Sequence, residues 1–447
     1  MGVQVLKIVL ISTYEMGRQP FGLASPAAWL RADGHEVTCV DLACSPLPRN
    51  SVAEAGLVAF YLPMHTATRL AVKAMERVKE LNPRAHLCCF GLYAPMNEPY
   101  LRELGARTIL GGEFEQGLLD LAGRLRRGSN GQPPLISLER QQFLTPDRTG
   151  LPSLTRYAKL LVDGEERLAG YTEASRGCKH LCRHCPVVPV YNGVFRVVER
   201  KVVLEDIRQQ VAAGAQHITF GDPDFLNGPR HAAAIVESLH AEHPSITYDV
   251  TIKIEHLLRY RELLPVLKRT GCLFVTSAAE SIDDAVLEKL AKGHTRADFI
   301  DAVSIVRAAG LTLAPTFVAF TPWTTWAGYR ELLQFLADLD LVDNVSPIQL
   351  AIRLLIPAGS RLLDLPEIRE LAGPFDPAAL SHKWRHSDPS LDELCADLQR
   401  LIQREERRKA TRAEIFSKIW ELANGRPPDL HLASRATIPY LNEPWYC

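Results

Sequence analysis

Strand-like apolar runs alternate with helix-period segments along most of this chain, and that alternation limits the folds open to it. Residues 5–12, 36–41, 57–62, 85–90 and 107–110 read as strands. Residues 22–32, 65–81 and 113–126 read as helices, the first stopped by Asp33-Gly34 and the second by Asn82-Pro83. Strands that take turns with helices build parallel sheets, so residues 1–128 are expected to form an α/β, doubly wound, Rossmann-like domain. Residues 128–150 are rich in Gly, Pro, Ser and Asn and read as a linker. With a bridging segment they make 129–170 a connection to a second series. That series, 171–375, carries six strand–helix repeats, with strands expected near 168–174, 216–220, 248–254, 273–278, 313–319 and 345–355. Residues 376–447 read as mostly helical, with apolar positions at helical spacing over 391–409 and 413–423.

The densest chemistry follows the first strand of the second series. Arg176-Gly177-Cys178-Lys179-His180-Leu181-Cys182-Arg183-His184-Cys185-Pro186 sets three cysteines at C-x3-C-x2-C spacing. A tight loop points three such thiolates inward, where they reach three irons of one cubane cluster. Iron–sulfur clusters are usually held by four cysteines. A fourth local cysteine is missing, so one iron is left open for a ligand. The alternative is zinc, with His180 or His184 completing a Cys3His set in an interaction module without turnover. Structural zinc motifs come as two separated ligand pairs, and no second pair stands nearby.

Ten cysteines in 447 residues are too sparse for a disulfide scaffold, and free thiols fit a reducing cytoplasm. A net charge of −1 argues for neither a nucleic-acid partner nor a membrane surface. No apolar run is long enough to span a bilayer. The apolar run at 8–11 lacks a basic region and a cleavage site, and reads as a strand rather than a signal peptide.

Chemistry in parallel barrels sits at the C-terminal ends of strands. Gly221-Asp222-Pro223-Asp224 stands there, and so do Lys253, Glu280 and Arg353. Each has a structural alternative. Gly-Asp-Pro-Asp favours a turn, and Ser281 suits a helix cap. Lys253 and Arg353 need an anionic partner, either a ligand carboxylate or a protein one. Vicinal Cys88-Cys89 could bind a thiophilic ion, or could simply be buried as small hydrophobes.

The cysteine loop resembles the cluster-binding loop of radical S-adenosylmethionine (SAM) enzymes, and 171–375 then resembles that family's partial (β/α)6 barrel. The resemblance implies a [4Fe–4S] cluster on Cys178, Cys182 and Cys185, with SAM on the open iron and reductive cleavage of SAM to a carbon radical. His184 takes the place of a residue that packs on the adenine. Gly221-Asp222 falls at the motif that bonds the SAM ammonium. Glu280, in a segment running to Lys289 and His294-Thr295, would contact SAM or brace its neighbours. Lys253 and Arg353 are candidates for a SAM or substrate carboxylate, and Arg176 and Lys179 would offset the cluster's charge. The family also implies a small-molecule substrate and an electron donor such as flavodoxin or ferredoxin.

Leu30-Arg31-Ala32-Asp33-Gly34-His35-Glu36-Val37 and Ile109-Leu110-Gly111-Gly112-Glu113 resemble the cobalamin-binding-type domain that precedes many radical SAM domains. That domain's signature, Asp-x-His-x-x-Gly, is missing. His65 follows the third strand with no Asp two residues before it and no Gly three after. The expectation is a domain that keeps the fold and shapes the substrate entrance, without cobalamin. Segments 177–195, 249–258, 316–323, 352–360 and 384–389, with the terminal Trp445-Tyr446-Cys447, resemble a radical SAM subfamily whose tail ends Cys-Sec-Ala-Glu-Pro or Cys-Cys-Ala-Glu-Pro. The subfamily includes the enzyme that makes arsinothricin. It implies transfer of the 3-amino-3-carboxypropyl group of SAM to arsenite, Cys447 as a candidate catalytic thiol, and a selenocysteine codon read as a stop. Hydrogen abstraction by a 5′-deoxyadenosyl radical is the alternative reaction.

Overall fold

A computed structural model describes residues 5–129, 133–429 and 439–442. The N-terminal sheet is parallel and runs β2-β1-β3-β4-β5-β6. Its strands are β1 (Lys7–Ser12), β2 (Glu36–Asp41), β3 (Leu57–Tyr61), β4 (His86–Phe90), β5 (Thr108–Gly112) and β6 (Ile136–Ser137). The strands are apolar on both faces because both faces are covered. Ile8 and Leu10 face helices Phe21–Ala32 and Glu115–Arg127, whereas Val9 and Ile11 face His65–Leu81. Strand order reverses between β1 and β3, which in such sheets opens a crevice at the C-terminal edge. Strand β6 comes from the segment read as linker, where Ile136 pairs with Gly111.

The second sheet contains β7 (Lys159–Val162), β8 (Glu165–Thr172), β11 (His217–Phe220), β12 (Thr247–Thr251), β13 (Cys272–Glu280) and β14 (Thr312–Phe317), while β9 (Ser175–Gly177) and β10 (Phe195–Val197) pair separately. Strands β8, β11, β12, β13 and β14 are mutually parallel and make a half-barrel. Helices Arg200–Ala212, Pro229–Glu242, Arg296–Ala308 and Trp326–Asp338 close its outer face over one large core. The C-terminal helices Pro389–Arg407 and Arg412–Asn424 join that core through Leu391, Leu394, Ile415 and Ile419.

Two expectations are corrected. The run 345–355 is not a strand. Pro347 cannot donate to a ladder and instead opens a 3-10 turn, Pro347–Ala351, so the chain meets the sheet only at one bridge between Phe320 and Arg353. The bridging segment before 171 is not a bare connection. Asp163 and Gly164 both have positive φ, 51° and 80°, and fold β7 back on β8 as a hairpin. Among the described residues no helix is long and apolar enough to cross a membrane.

Candidate active site

The cysteine loop leaves the half-barrel through the two-stranded stem of β9 and β10. Gly177 has φ +73°, and a Cβ there would lie 2.4 Å from both the Tyr191 ring and the Val194 carbonyl. Only glycine satisfies the turn and the close approach together. The loop is then pinned from outside. The Arg183 guanidinium donates to the Glu288 and Lys289 carbonyls at 3.1 and 2.8 Å, and its backbone N–H to Leu290 O at 2.9 Å. These are terminal carbonyls of helix Asp284–Lys289, which lack intrahelical donors. Lys179 N–H donates to Asn227 Oδ1 at 3.2 Å. Cys178, Cys182 and Cys185 are all free, with Cys182 buried and the other two partly so. Burial pushes the Cys178 thiol up and Cys185 to about 12. Three sheltered thiols on one braced loop fit a cubane cluster.

Opposite the loop, β13 ends on Glu280, which has φ +69° at a register shift against β14. Its Oε1 lies 3.0 Å from His184 Nε2 and 3.4 Å from Lys292 Nζ. Burial opposes ionisation of this carboxylate, but Lys292 and His184 outweigh it and hold Glu280 down at about 2. Glu280 is therefore a fixed anion at a strand end, in direct contact with His184, the residue before the third cysteine. Lys292 was not singled out from the sequence, although it lies inside the segment that resembled the family.

The other strand-end residues divide. Asp222 accepts from Ala174 N–H at 2.9 Å and Ser175 Oγ at 2.5 Å, so it braces the stem of the cysteine loop; burial pushes it up to about 7. Gly221 admits the Tyr171 hydroxyl, which would lie 1.8 Å from a Cβ. Lys253 is buried, with its Nζ 3.5 Å from Glu255. Arg353 pairs with Asp392, donates to the Trp384 carbonyl at 2.8 Å and stacks 3.5 Å from that ring, so it ties helix Pro389–Arg407 to the half-barrel. Arg176 does not face the cluster with a free charge. It is enclosed by Glu113, Glu115 and Glu173 at the interface of the two α/β units. Lys179 Nζ lies 4.9 Å from the Phe195 ring. Cys88 and Cys89 are fully buried in different cores on opposite faces of β4, and so form no paired thiol site. Cys447 lies outside the described residues.

The C-terminal edge of the N-terminal sheet is closed only in part: cavities of about 440 and 320 Å³ open after β1 and β2, lined by Thr13, Tyr14 and Leu42 and by Glu15, Asp41 and Cys44. Tyr61, Phe90 and Phe114 form a ring cluster with centroids 5.0 to 5.9 Å apart. His65 Nε2 is 2.6 Å from the Ala379 carbonyl and is thereby occupied. His65 is thus held as a backbone partner, and cobalamin remains the doubtful cofactor that the missing signature made it.

Residues 172–336 match the family model of the radical SAM superfamily. These residues are a radical SAM domain. A domain of that kind uses a [4Fe–4S] cluster and SAM. The chain is 24% identical over 343 residues to the hopanoid C-3 methylase of Methylococcus capsulatus, covering 73% of this chain and 66% of that protein. It is 24% identical over 200 residues to tRNA-2-methylthio-N(6)-dimethylallyladenosine synthase of Geobacter sulfurreducens, covering 41% and 43%. It thus spans less than two thirds of either relative. In fold it is similar to the cobalamin-dependent SAM radical enzyme OxsB, with TM-score 0.72, 16% identity, and 90% and 67% of the two chains covered. The methyltransferase TsrM of Kitasatospora setae gives TM-score 0.63 at 16% identity, covering 84% and 82%. The chain thus shares the α/β half-barrel fold of these cobalamin-dependent enzymes.

Proposed function

We propose that this radical SAM enzyme transfers a SAM-derived group, of the methyltransferase or methylthiotransferase kind, to a small molecule at the mouth of the half-barrel. The observation that carries the reading is the convergence of the cysteine loop with Glu280, His184 and Lys292. When bound, a [4Fe–4S] cluster supplies the electron that breaks a carbon–sulfur bond of SAM. Cys178, Cys182 and Cys185 are the residues that would hold it. Glu280 offers an anion to the SAM ammonium or ribose and orients His184 and Lys292 through ion pairs at 3.0 and 3.4 Å. His184 presents an imidazole face beside Cys185, and Lys253 offers a cation to a carboxylate. Asp222 braces the stem of the loop and Arg183 ties its outer side to helix Asp284–Lys289. Flavodoxin or ferredoxin is the proposed electron donor.

Similarity to a methylase over 343 residues supports methyl as the cargo. The finer reading is transfer of the 3-amino-3-carboxypropyl group to a thiophilic acceptor such as arsenite, with Cys447 as the acceptor-binding thiol; the resemblance of 352–360 and 384–389 supports it. The test is an anaerobic incubation of iron-loaded protein with SAM and a reductant, with and without arsenite, read by mass spectrometry. Methyl transfer yields S-adenosylhomocysteine. Methylthioadenosine reports the aminocarboxypropyl route, and 5′-deoxyadenosine alone reports hydrogen abstraction. Iron-loaded protein that leaves SAM intact refutes the enzyme scheme, as does a Cys182→Ser variant that still cleaves it.

A further inference from the structure

The inner face of the half-barrel changes character along its height. Successive residues of a strand point to opposite faces. On β12, β13 and β14, Val250, Ile252, Val275, Leu313 and Phe317 belong to the core under the outer helices. Their alternates Thr251, Thr276, Ala278, Ala314 and Thr316 therefore face inward, and all five are half-buried. The register sets Thr251 beside Thr276 and Ala314, and Ala278 beside Thr316, in two neighbouring rows. Lys253 and Glu280 stand two residues beyond Thr251 and Ala278, so the rows lie beneath the charged rim.

Below these rows the space is closed. Phe274, beside Asp249 in register, packs against Leu160 and Val162 of β7, although β12, β11 and β8 lie between those strands in the sheet. That contact crosses the half-barrel and forms its floor. The polar groups at this level satisfy one another. Asp249 accepts from Thr219 Oγ1 at 2.6 Å and lies 2.9 Å from His217 Nε2, and His217 Nδ1 is 2.8 Å from Thr247 Oγ1. One step nearer the rim this ends. Among the described residues no protein group hydrogen-bonds the hydroxyls of Thr251, Thr276 and Thr316.

Resting on the group transfer described above, we propose that the acceptor is a small, water-soluble molecule bearing hydroxyl or amino groups, seated on Thr251, Thr276 and Thr316 beneath SAM. Each threonine hydroxyl offers one donor and two lone pairs, so the three can pair with either kind of group. The methyl side chains of Ala278 and Ala314 leave the space between them open. A lipid acceptor would strip water from three hydroxyls and give them nothing in return, whereas buried polar atoms are nearly always paired. A site built to hydrogen-bond its substrate rejects an analogue without those groups by about 10⁴–10⁵-fold. The floor also limits length, because Phe274 lies two residues, about 6.6 Å of strand, below Thr276.

The probes are the aqueous and chloroform phases of one extract of the source organism's cells. The full chain is loaded anaerobically with iron and sulfide, then given a reductant, isotopically labelled SAM and one phase or the other. Mass spectrometry follows the label. The expected result is a labelled product from the aqueous phase only. Thr251→Val with Thr276→Val keeps the side-chain volume and removes two hydroxyls; it should lower that product about 10–100-fold at equal iron content, and Thr251→Ser with Thr276→Ser should restore it. SAM left intact, or cleaved with no labelled product from either phase, defeats the group-transfer reading and the proposal with it. A labelled product from the chloroform phase leaves that reading standing and overturns the proposal. An aqueous product that the valine variant forms just as fast overturns the seat on the threonines. The comparison of phases uses the unaltered protein, so it stands even if a variant fails to fold.

Discussion

Replacing Arg176 by methionine tests how the cysteine loop is attached to the N-terminal domain. The guanidinium is 6% exposed. It holds Glu115 in a two-pronged pair at 2.7 and 2.9 Å, Glu173 at 2.8 Å and Glu113 at 3.4 Å. It also lies 5.1 to 5.7 Å from the centres of the Phe21, Phe114 and Phe143 rings. Without it, Glu115 remains fully buried with only Ser25 and Gln141 donating to it, at 2.6 and 2.8 Å. Breaking a buried pair by removing one partner costs about 3–5 kcal/mol, because the other charge stays buried. At about 1.4 kcal/mol per decade, the folded fraction relative to unfolded falls by roughly 10²–10⁴. Urea unfolding of the cluster-free protein, followed by circular dichroism, measures this. Iron content after reconstitution then reports the loop, since Cys178 is two residues away. Arg176→Met with Glu115→Gln removes both charges and should recover most of the loss. A single variant that loses under about 1 kcal/mol, or a double variant no better than the single, refutes the reasoning.

Two further outcomes are expected. Glu280→Gln leaves Lys292, only 3% exposed, without its anion; SAM binding by equilibrium dialysis should weaken about 10–100-fold, from about 1.5–3 kcal/mol per charged hydrogen bond, and unchanged affinity in iron-loaded protein would sink Glu280's role. Burial pushes Glu113 from an ordinary 4.5 to about 7, so the folded state holds this proton more tightly and stability falls as pH rises from 4.5 through about 7. Asp222, raised from 3.8 to about 7, adds a slope of the same sign, so Glu113→Gln should flatten the urea midpoint against pH only in part; an unaltered slope contradicts the assignment.

The strand and helix order of both α/β units was legible because period-2 and period-3.6 apolar patterns are local. What was lost depended on contacts far along the chain or on turn chemistry passed over. Asp163-Gly164 is a strong hairpin signal, yet it lay in a segment whose composition suggested a connection. Pro347 stood inside an apolar run and should have demoted that strand. The cysteine loop was legible from spacing alone. The partners of Glu280 were not, because Lys292 reaches it from beyond the helix Asp284–Lys289. Arg353 left two alternatives open in the sequence, and only the fold shows Asp392 and Trp384 taking its charge and its face.

The same consideration explains what the N-terminal domain does here. A doubly wound sheet normally offers a ligand crevice at its C-terminal edge. In this chain Tyr61, Phe90 and Phe114 occupy the part of that edge after β3, β4 and β5. Glu113 and Glu115, just beyond β5, reach across to Arg176, and Tyr191 donates to Glu113 at 3.2 Å. From the opposite direction Arg148, in the segment read as linker, donates to Gln19 and Asp206 at 2.8 Å and to the Tyr171 carbonyl at 2.7 Å. The contacts therefore bracket the stem of the cysteine loop between β8 and Tyr191. Buried ion pairs contribute little net stability compared with apolar packing, but they tolerate only one geometry. A loop that must present three thiols to one cluster needs that geometric restriction more than added stability. The β5 side of the sheet edge thus backs the loop.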